Sequence, residues 1–388
     1  MANLGFKEGL RREIRRLGSR KMYIFGIVVV PLFMAFFFLD LLSPGLPNHV
    51  PTAVVDLDHS AMSRTVTRSL NALQVIDVSQ RCESYDEALD KVRSGEIFGF
   101  FVIPSNFEKN ALAGNDPTLE YYSNMTYFVP GTLAYKGFKT VAVATSGGVV
   151  QQTLISLGAT PGQVASMVQP LSLDIYGLNN PWMSYAIYLC PSFTMATFVL
   201  MIMLMTVFSI TIEIKNGTSA QWLATSDGSI IIAMASKLLP QTIIFAIEGI
   251  FIQWLLFGLS DFPLNGSLWW MIVATVLTVI ASQGVGMFIA SVLPNPRLAL
   301  SITSLFGILS FSFTGFSFPV ESMYGYLAVF SWLAPIRYWF LIYINEALNG
   351  VDIYYSRYYM VALIVLPLVA CSLLPRLRRA CLKPVYVP

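Results

Sequence analysis

Apolar residues along this chain gather in long blocks rather than in the alternating or every-third pattern of soluble elements. Six runs are long enough to cross about 30 Å of hydrocarbon: 22–42, 184–210, 230–258, 268–292, 298–318 and 357–374. Blocks apolar on every face predict helices surrounded by lipid or by one another. Aromatic residues fall where a headgroup belt needs them, with Trp182, Tyr185 and Tyr188 before the second run and Trp269 and Trp270 at the fourth. The first run reads as a retained span. It is longer than a signal-peptide core, and it ends on Asp40 and Ser43-Pro44-Gly45 rather than on a small-residue cleavage pattern.

A polar stretch, 43–183, separates the first two runs and carries patterns of its own. "TAVVDLD" predicts a strand, and "SAMSRTVTRSLNAL" a helix with Ser60 as its N-cap. "YDEALDKVRSGE" predicts a second helix and "IFGFFVIP" a buried strand. The order strand–helix–helix–strand implies a small α/β layer, and 132–176 predicts a helical stalk returning to the membrane. Residues 319–356 are too apolar for an ordinary loop, yet Pro335 and Arg337 interrupt their centre. A straight seventh span there would put the C-terminal arginines outside. A re-entrant pair of half-helices avoids this, and such backbone is tolerated where protein buries it.

Charge sets the orientation. The chain of 388 residues is 55% hydrophobic and only 12% charged, about half the charged share of a soluble domain. The first 21 residues hold Lys7, Arg11, Arg12, Arg15, Arg16, Arg20 and Lys21 against Glu8 and Glu13, and the far end closes on Arg376, Arg378, Arg379 and Lys383. The positive-inside rule then places 1–21, 211–229, 293–297 and 375–388 in the cytoplasm, with 43–183 outside. This describes a multi-pass membrane protein with both termini cytoplasmic and no nucleic-acid partner. Arg11, Arg12, Arg15 and Arg16 share one face of the N-terminal helix, opposite Leu10, Ile14 and Leu17. That pattern predicts an interfacial helix whose arginines anchor it to anionic lipid.

No phosphate-binding loop, His-Glu-x-x-His, Gly-x-Ser-x-Gly or Cys-x-x-Cys run occurs, and two histidines and four separated cysteines form no metal-ligand spacing. The chain therefore reads as a non-enzyme with no metal or cofactor of its own. Charges within the apolar runs are candidates for function by default. Glu248 sits mid-run between Phe245 and Phe251, with Gln283 as a candidate hydrogen-bond partner. Lys237 is near enough to the inner surface to snorkel. Arg337 and Glu346 flank the proline break, where an ion pair with each other or with a neighbour is expected to hold the turn.

The segment 211–229, "TIEIKNGTSAQWLATSDGS", interrupts the apolar runs with a short polar insert. Thr218 and Gln221 have capping-box spacing and Gly228 is a helix stop, predicting a helix of about nine residues. So short a helix needs something to pack against, with Trp222 and Leu223 as its apolar contacts. Glu213-x-x-x-Gly217-Thr218 followed by Leu223 and Thr225 resembles the coupling-helix signature of ABC-2 type export permeases. "TAVVDLDHSAMSRTVTRSL", "ASKLLPQ", "GMFIASVLPNPRLAL" and "LAPIRYWFLIYINEALNG" resemble other segments of that family in the same order. One departure is Ile214-Lys215-Asn216, where many relatives carry Glu-Arg-Glu.

The resemblance implies a helical integral membrane protein of the ABC-2, type V exporter-like class. It has six transmembrane helices, a re-entrant segment, and an α/β extracytoplasmic domain between spans one and two. It implies a cytoplasmic ABC ATPase partner that carries ATP and Mg. A second permease copy or sister permease, and a periplasmic adaptor with an outer-membrane channel, are further implied partners. Glu213, Gly217, Thr218, Gln221, Trp222 and Leu223 would be the ATPase-coupling residues, and the cargo a hydrophobic or amphiphilic compound. The residues by themselves leave open an ATP-independent receptor or scaffold, and an ion-coupled secondary transporter using Glu248.

Overall fold

The computed structural model describes residues 2–115, 117–158, 160, 164, 178–181 and 184–383. The chain divides into two compact units, Met1–Ser43 with Gly177–Pro388, and Pro44–Tyr176. The expected belt residue Trp182 and most of the expected stalk beyond 158 lie outside the described residues.

Among the described residues of the first unit, six helices are long and apolar enough to cross a membrane: Lys21–Leu41, Tyr185–Lys215, Ile230–Leu259, Leu268–Val292, Pro296–Phe313 and Ile353–Leu382. They are called spans one to six below. An amphipathic helix, Ala2–Ser19, precedes them. Span two outruns its apolar run and stays helical to Lys215, because Glu213 finds ionic partners instead of ending the helix. Span five starts with Pro296 at its first turn, where the missing N–H costs nothing, and Asn295 Oδ1 accepts from Arg297 N at 3.0 Å.

Spans four and six meet through a glycine. A Cβ built on Gly284 would stand 2.5 Å from Cα of Pro367, the small-residue approach that lets membrane helices pack backbone to backbone. Between spans five and six, the half-helices Gly325–Leu333 and Pro335–Leu348 meet at an 86° bend. The second half is pinned to the bundle by its aromatic residues. Trp339 Nε1 donates to Thr275 Oγ1 at 3.1 Å, and Gln253 Nε2 reaches the same hydroxyl at 2.9 Å. Pro191, inside span two, cannot donate to the carbonyl of Ile187; the Tyr343 hydroxyl donates there instead at 2.5 Å.

The second unit is a four-stranded sheet in the order β2–β1–β3–β4. The strands are β1 Val50–Asp56, β2 Ile76–Cys82, β3 Gly99–Ile103 and β4 Glu120–Ser123. β1 pairs parallel with β2 and β3, and β4 closes the other edge antiparallel to β3. Side chains alternate between two buried faces. Val54, Phe101 and Ile103 pack with Val66, Leu70 and Val141 on one face, and Ala53, Val55 and Phe100 with Ala88 and Ile97 on the other.

The helices Ala61–Asn71 and Tyr85–Ser94 stand where the sequence predicts them, and Ser60 Oγ caps the first by accepting from Ser63 N at 3.0 Å. β2 and β4 are additions to the expected strand–helix–helix–strand order. Both are edge strands of mixed polarity, without the continuous apolar run that marks β3. A long helix, Phe128–Ser156, covers one face of the sheet. Burial pushes the Asp58 carboxyl up. Hydrogen bonds from Ser60 and from the backbone of Glu108, Phe107 and Asn106 outweigh it and hold the group below the usual carboxylate range.

Candidate functional site

The polar end of span two is built around one glycine. Gly217 takes φ +67°, and two hydrogen bonds close the helix end: Gly217 N to Ile214 O at 3.1 Å and Thr218 N to Glu213 O at 2.9 Å. This is the doubly bonded helix stop that needs a left-handed residue after the cap. The turn aims the chain into a short helix, Ser219–Ala224, of six residues rather than about nine. The expected capping box is absent. Thr218 makes no side-chain cap and its hydroxyl donates to Glu213 Oε2 instead, leaving Gln221 exposed.

Glu213 is fully buried and surrounded by cations. Arg12 grips both its oxygens at 2.8 and 3.0 Å, Arg16 donates to Oε1, and Lys237 Nζ lies 3.0 Å from the same oxygen. Lys237, also fully buried, reaches Glu13 Oε2 at 2.9 Å and sits 4.7 Å above the Trp222 ring. Burial works against the Arg12 charge, but Glu213 and Glu13 outweigh it and raise the guanidinium above its ordinary value. A cluster of three cations and two carboxylates thus ties together the N-terminal helix, span two, the Thr218 turn and span three.

Three expectations change here. Arg12 and Arg16 do not face lipid: the helix turns them inward onto Glu213, and only Arg11 and Arg15 of the four remain exposed. Lys237 does not snorkel, because two carboxylates satisfy it inside the protein. Trp222 and Leu223 are spent within this chain, packed with Ile214, Ile230, Met234 and Leu377. Ser219 Oγ adds a hydrogen bond to Cys381 O at 2.7 Å. The surface left for a partner is Lys215, Asn216, Gly217, Ala220, Gln221 and Ala224.

Sequence comparison bears on what such an assembly belongs to. Residues 21–373 match the family described as ABC-2 family transporter protein. The chain belongs to the ABC-2 transporter family. It is also 24% identical over 336 residues to the inner membrane transport permease YhhJ of Escherichia coli (strain K12), covering 83% of this chain and 81% of that one. The Shigella flexneri protein of the same description matches to the same extent. This ABC-2 protein is accordingly a transporter permease of the inner membrane with several membrane-spanning helices. Its N-terminal helix, which supplies Arg12, Glu13 and Arg16, lies outside the matched range.

Elsewhere in the permease, the expected polar partnerships are replaced by others. Gln283 does not meet Glu248; its Oε1 accepts from Thr242 Oγ1 at 2.7 Å. Both carboxyl oxygens of Glu248 are buried without a hydrogen-bond partner among the described residues. Arg337 and Glu346 do not pair with each other. Arg337 instead has a neighbouring ion-pair partner, Glu321 at 3.8 Å, while Glu346 is buried beside the backbone of Gly266.

Proposed function

We propose that this ABC-2 permease is the membrane subunit of an ATP-binding cassette exporter. It moves hydrophobic or amphiphilic compounds outward while a separate ATPase subunit binds ATP and Mg. The observation that carries this reading is the buried Glu213 cluster behind the exposed face of Ser219–Ala224. A push on Ala220, Gln221 or Ala224 is delivered through ionic contacts, which resist shear, to the N-terminal helix and span three at once. A two-state bundle biased at one end by a partner's nucleotide cycle needs such a rigid link. On this reading both termini and the short helix face the cytoplasm, the Pro44–Tyr176 unit lies outside, and the bent pair Gly325–Leu348 is re-entrant. The membrane unit pairs with a second copy or a sister permease. The outer unit is then placed to meet a periplasmic adaptor and outer-membrane channel.

The test separates docking from folding. Ala220→Trp adds bulk on the exposed face, and Gly217→Val forces a β-branched residue into φ +67°. Both are expected to insert in the membrane, with Ala220→Trp keeping wild-type thermal stability. Substrate-stimulated ATPase activity of the purified permease–ATPase complex should fall by tenfold or more. Wild-type stimulation in Ala220→Trp rejects the coupling role. The partnerless carboxyl of Glu248 favours a second reading, ion-coupled transport. That reading requires uptake into proteoliposomes driven by an ion gradient without nucleotide.

A further inference from the structure

The face of the N-terminal helix that turns away from Glu213 is amphipathic in a way the ionic cluster does not use. Lys7, Arg11 and Arg15 line up at four-residue spacing and are exposed, with no protein partner among the described residues; Glu8 is the one exposed carboxylate beside them. Next to this stripe, a cleft of 420 Å³ opens between the N-terminal helix, span one and span three. Ile14, Gly18, Ile24 and Ile243 line it, with Tyr23 at its side. The lining is almost wholly apolar, and three of its isoleucines are about half exposed: Ile14 56%, Ile24 47%, Ile243 51%. A second hollow under Lys7, Arg11 and Arg15 shares Ile14 with it, so cationic rim and apolar cleft are continuous. The Tyr23 hydroxyl is buried and has no hydrogen-bond partner among the described residues.

We propose that this groove binds one anionic glycerophospholipid. One acyl chain runs along Ile14, Ile24 and Ile243, and the phosphate sits across Arg11 and Arg15. A cleft this apolar offers almost no polar surface to a soluble solute, whereas a lipid chain fills it by burial alone. Arg12 and Arg16 are turned inward onto Glu213, so the cationic side chains left for a headgroup are those on the rim of the cleft. Exposed guanidinium groups near an anionic lipid favour it by about fivefold each, or roughly thirtyfold for the pair. The site requires the N-terminal helix to lie at the inner leaflet and does not depend on an ATPase partner. Its failure would leave the coupling reading untouched.

The experiment is native mass spectrometry of the full-length detergent-purified protein, titrated with phosphatidylglycerol, phosphatidylcholine or glycerol 3-phosphate. One phosphatidylglycerol per chain should be retained roughly thirtyfold more tightly than phosphatidylcholine, and glycerol 3-phosphate should not bind. Arg11→Gln with Arg15→Gln should reduce phosphatidylglycerol to the phosphatidylcholine level. Gly18→Leu projects into the cleft where nothing lies within 4 Å of a built Cβ, so the helix keeps its fold. It should weaken both lipids by tenfold or more. Equal retention of the two lipids, retention of phosphatidylglycerol unchanged by either variant, or glycerol 3-phosphate binding as tightly overturns the proposal.

Discussion

Removing the charge at Glu213 while keeping its shape tests the ionic cluster most directly. In Glu213→Gln the side-chain volume is conserved, so packing against span three survives. Three cations lose their shared acceptor, and the new amide turns N–H donors toward some of them. Lys237 is fully buried and retains Glu13 at 2.9 Å. Arg16, 9% exposed, loses the single ion-pair partner it has among the described residues. Arg12 is about one-quarter exposed and recovers part of its loss from water. Breaking a buried pair by deleting one partner costs about 3–5 kcal/mol. With water repaying Arg12, about 3 kcal/mol is expected for the variant.

Lys237→Met should cost about 3 kcal/mol. It leaves Glu13, 1% exposed, without the single ion-pair partner it has among the described residues, even though an apolar chain of similar length fills the space beside Trp222. Glu213→Gln with Lys237→Met relieves the excess positive charge that Glu213→Gln alone creates. The double variant should therefore be less damaged than the sum of the singles by about 1.5 kcal/mol, as for residues sharing one network. The assay is equilibrium unfolding in mixed micelles followed by far-ultraviolet circular dichroism, in all four forms at one salt concentration. A Glu213→Gln variant within about 0.5 kcal/mol of wild type would falsify the view that this cluster is a strained-free, fully committed ion network. Strict additivity in the double variant would show that Glu213 and Lys237 do not act on each other.

Two further substitutions examine other parts of the bundle. Gly284→Ala drives a methyl group to within 2.5 Å of Pro367 Cα, where backbone rather than a flexible side chain must give way. It should lower stability by about 2 kcal/mol in the same unfolding assay, and an unchanged midpoint would mean spans four and six are not in backbone contact. Glu248→Leu removes a buried carboxyl that has no hydrogen-bond partner among the described residues. It should unfold at least as late as wild type, with a gain of about 1–3 kcal/mol; a clear loss would reveal a partner for that carboxyl in the assembled permease.

Which parts of this architecture can be read from sequence follows from the distance over which each is determined. The spans are legible because a helix in hydrocarbon must satisfy its own backbone and present apolar atoms on every side. Both demands are local, and they fix Ile230–Leu259 or Leu268–Val292 without reference to any neighbour. In the Pro44–Tyr176 unit, β3 is legible for the same reason. β2 is not, since an edge strand is specified by its pairing with β1 and carries a mixed burial pattern.

The Glu213 cluster joins residues about two hundred positions apart, and periodicity says which residues share a helix face without saying what that face meets. The arginine stripe at 11, 12, 15 and 16 therefore has two solutions, lipid or protein, and the choice between them lies in residues that carry no charge. Gly5 and Gly9 fall at the same helical spacing as Glu13 and Arg16. A Cβ on Gly5 would stand 2.5 Å from the Asp227 carboxylate, and one on Gly9 2.5 Å from Ser236 Oγ. Glycines repeated every fourth residue disfavour a free interfacial helix, because each costs about 1 kcal/mol relative to alanine. They fit where side chains of neighbouring elements press close against the helix. Gly5, Gly9, Glu13 and Arg16 thus mark the packed face, and the lone carboxylate of Glu13 among arginines marks where buried charge will be found. Arg11 and Arg15, one step around the helix, are what is left for the membrane.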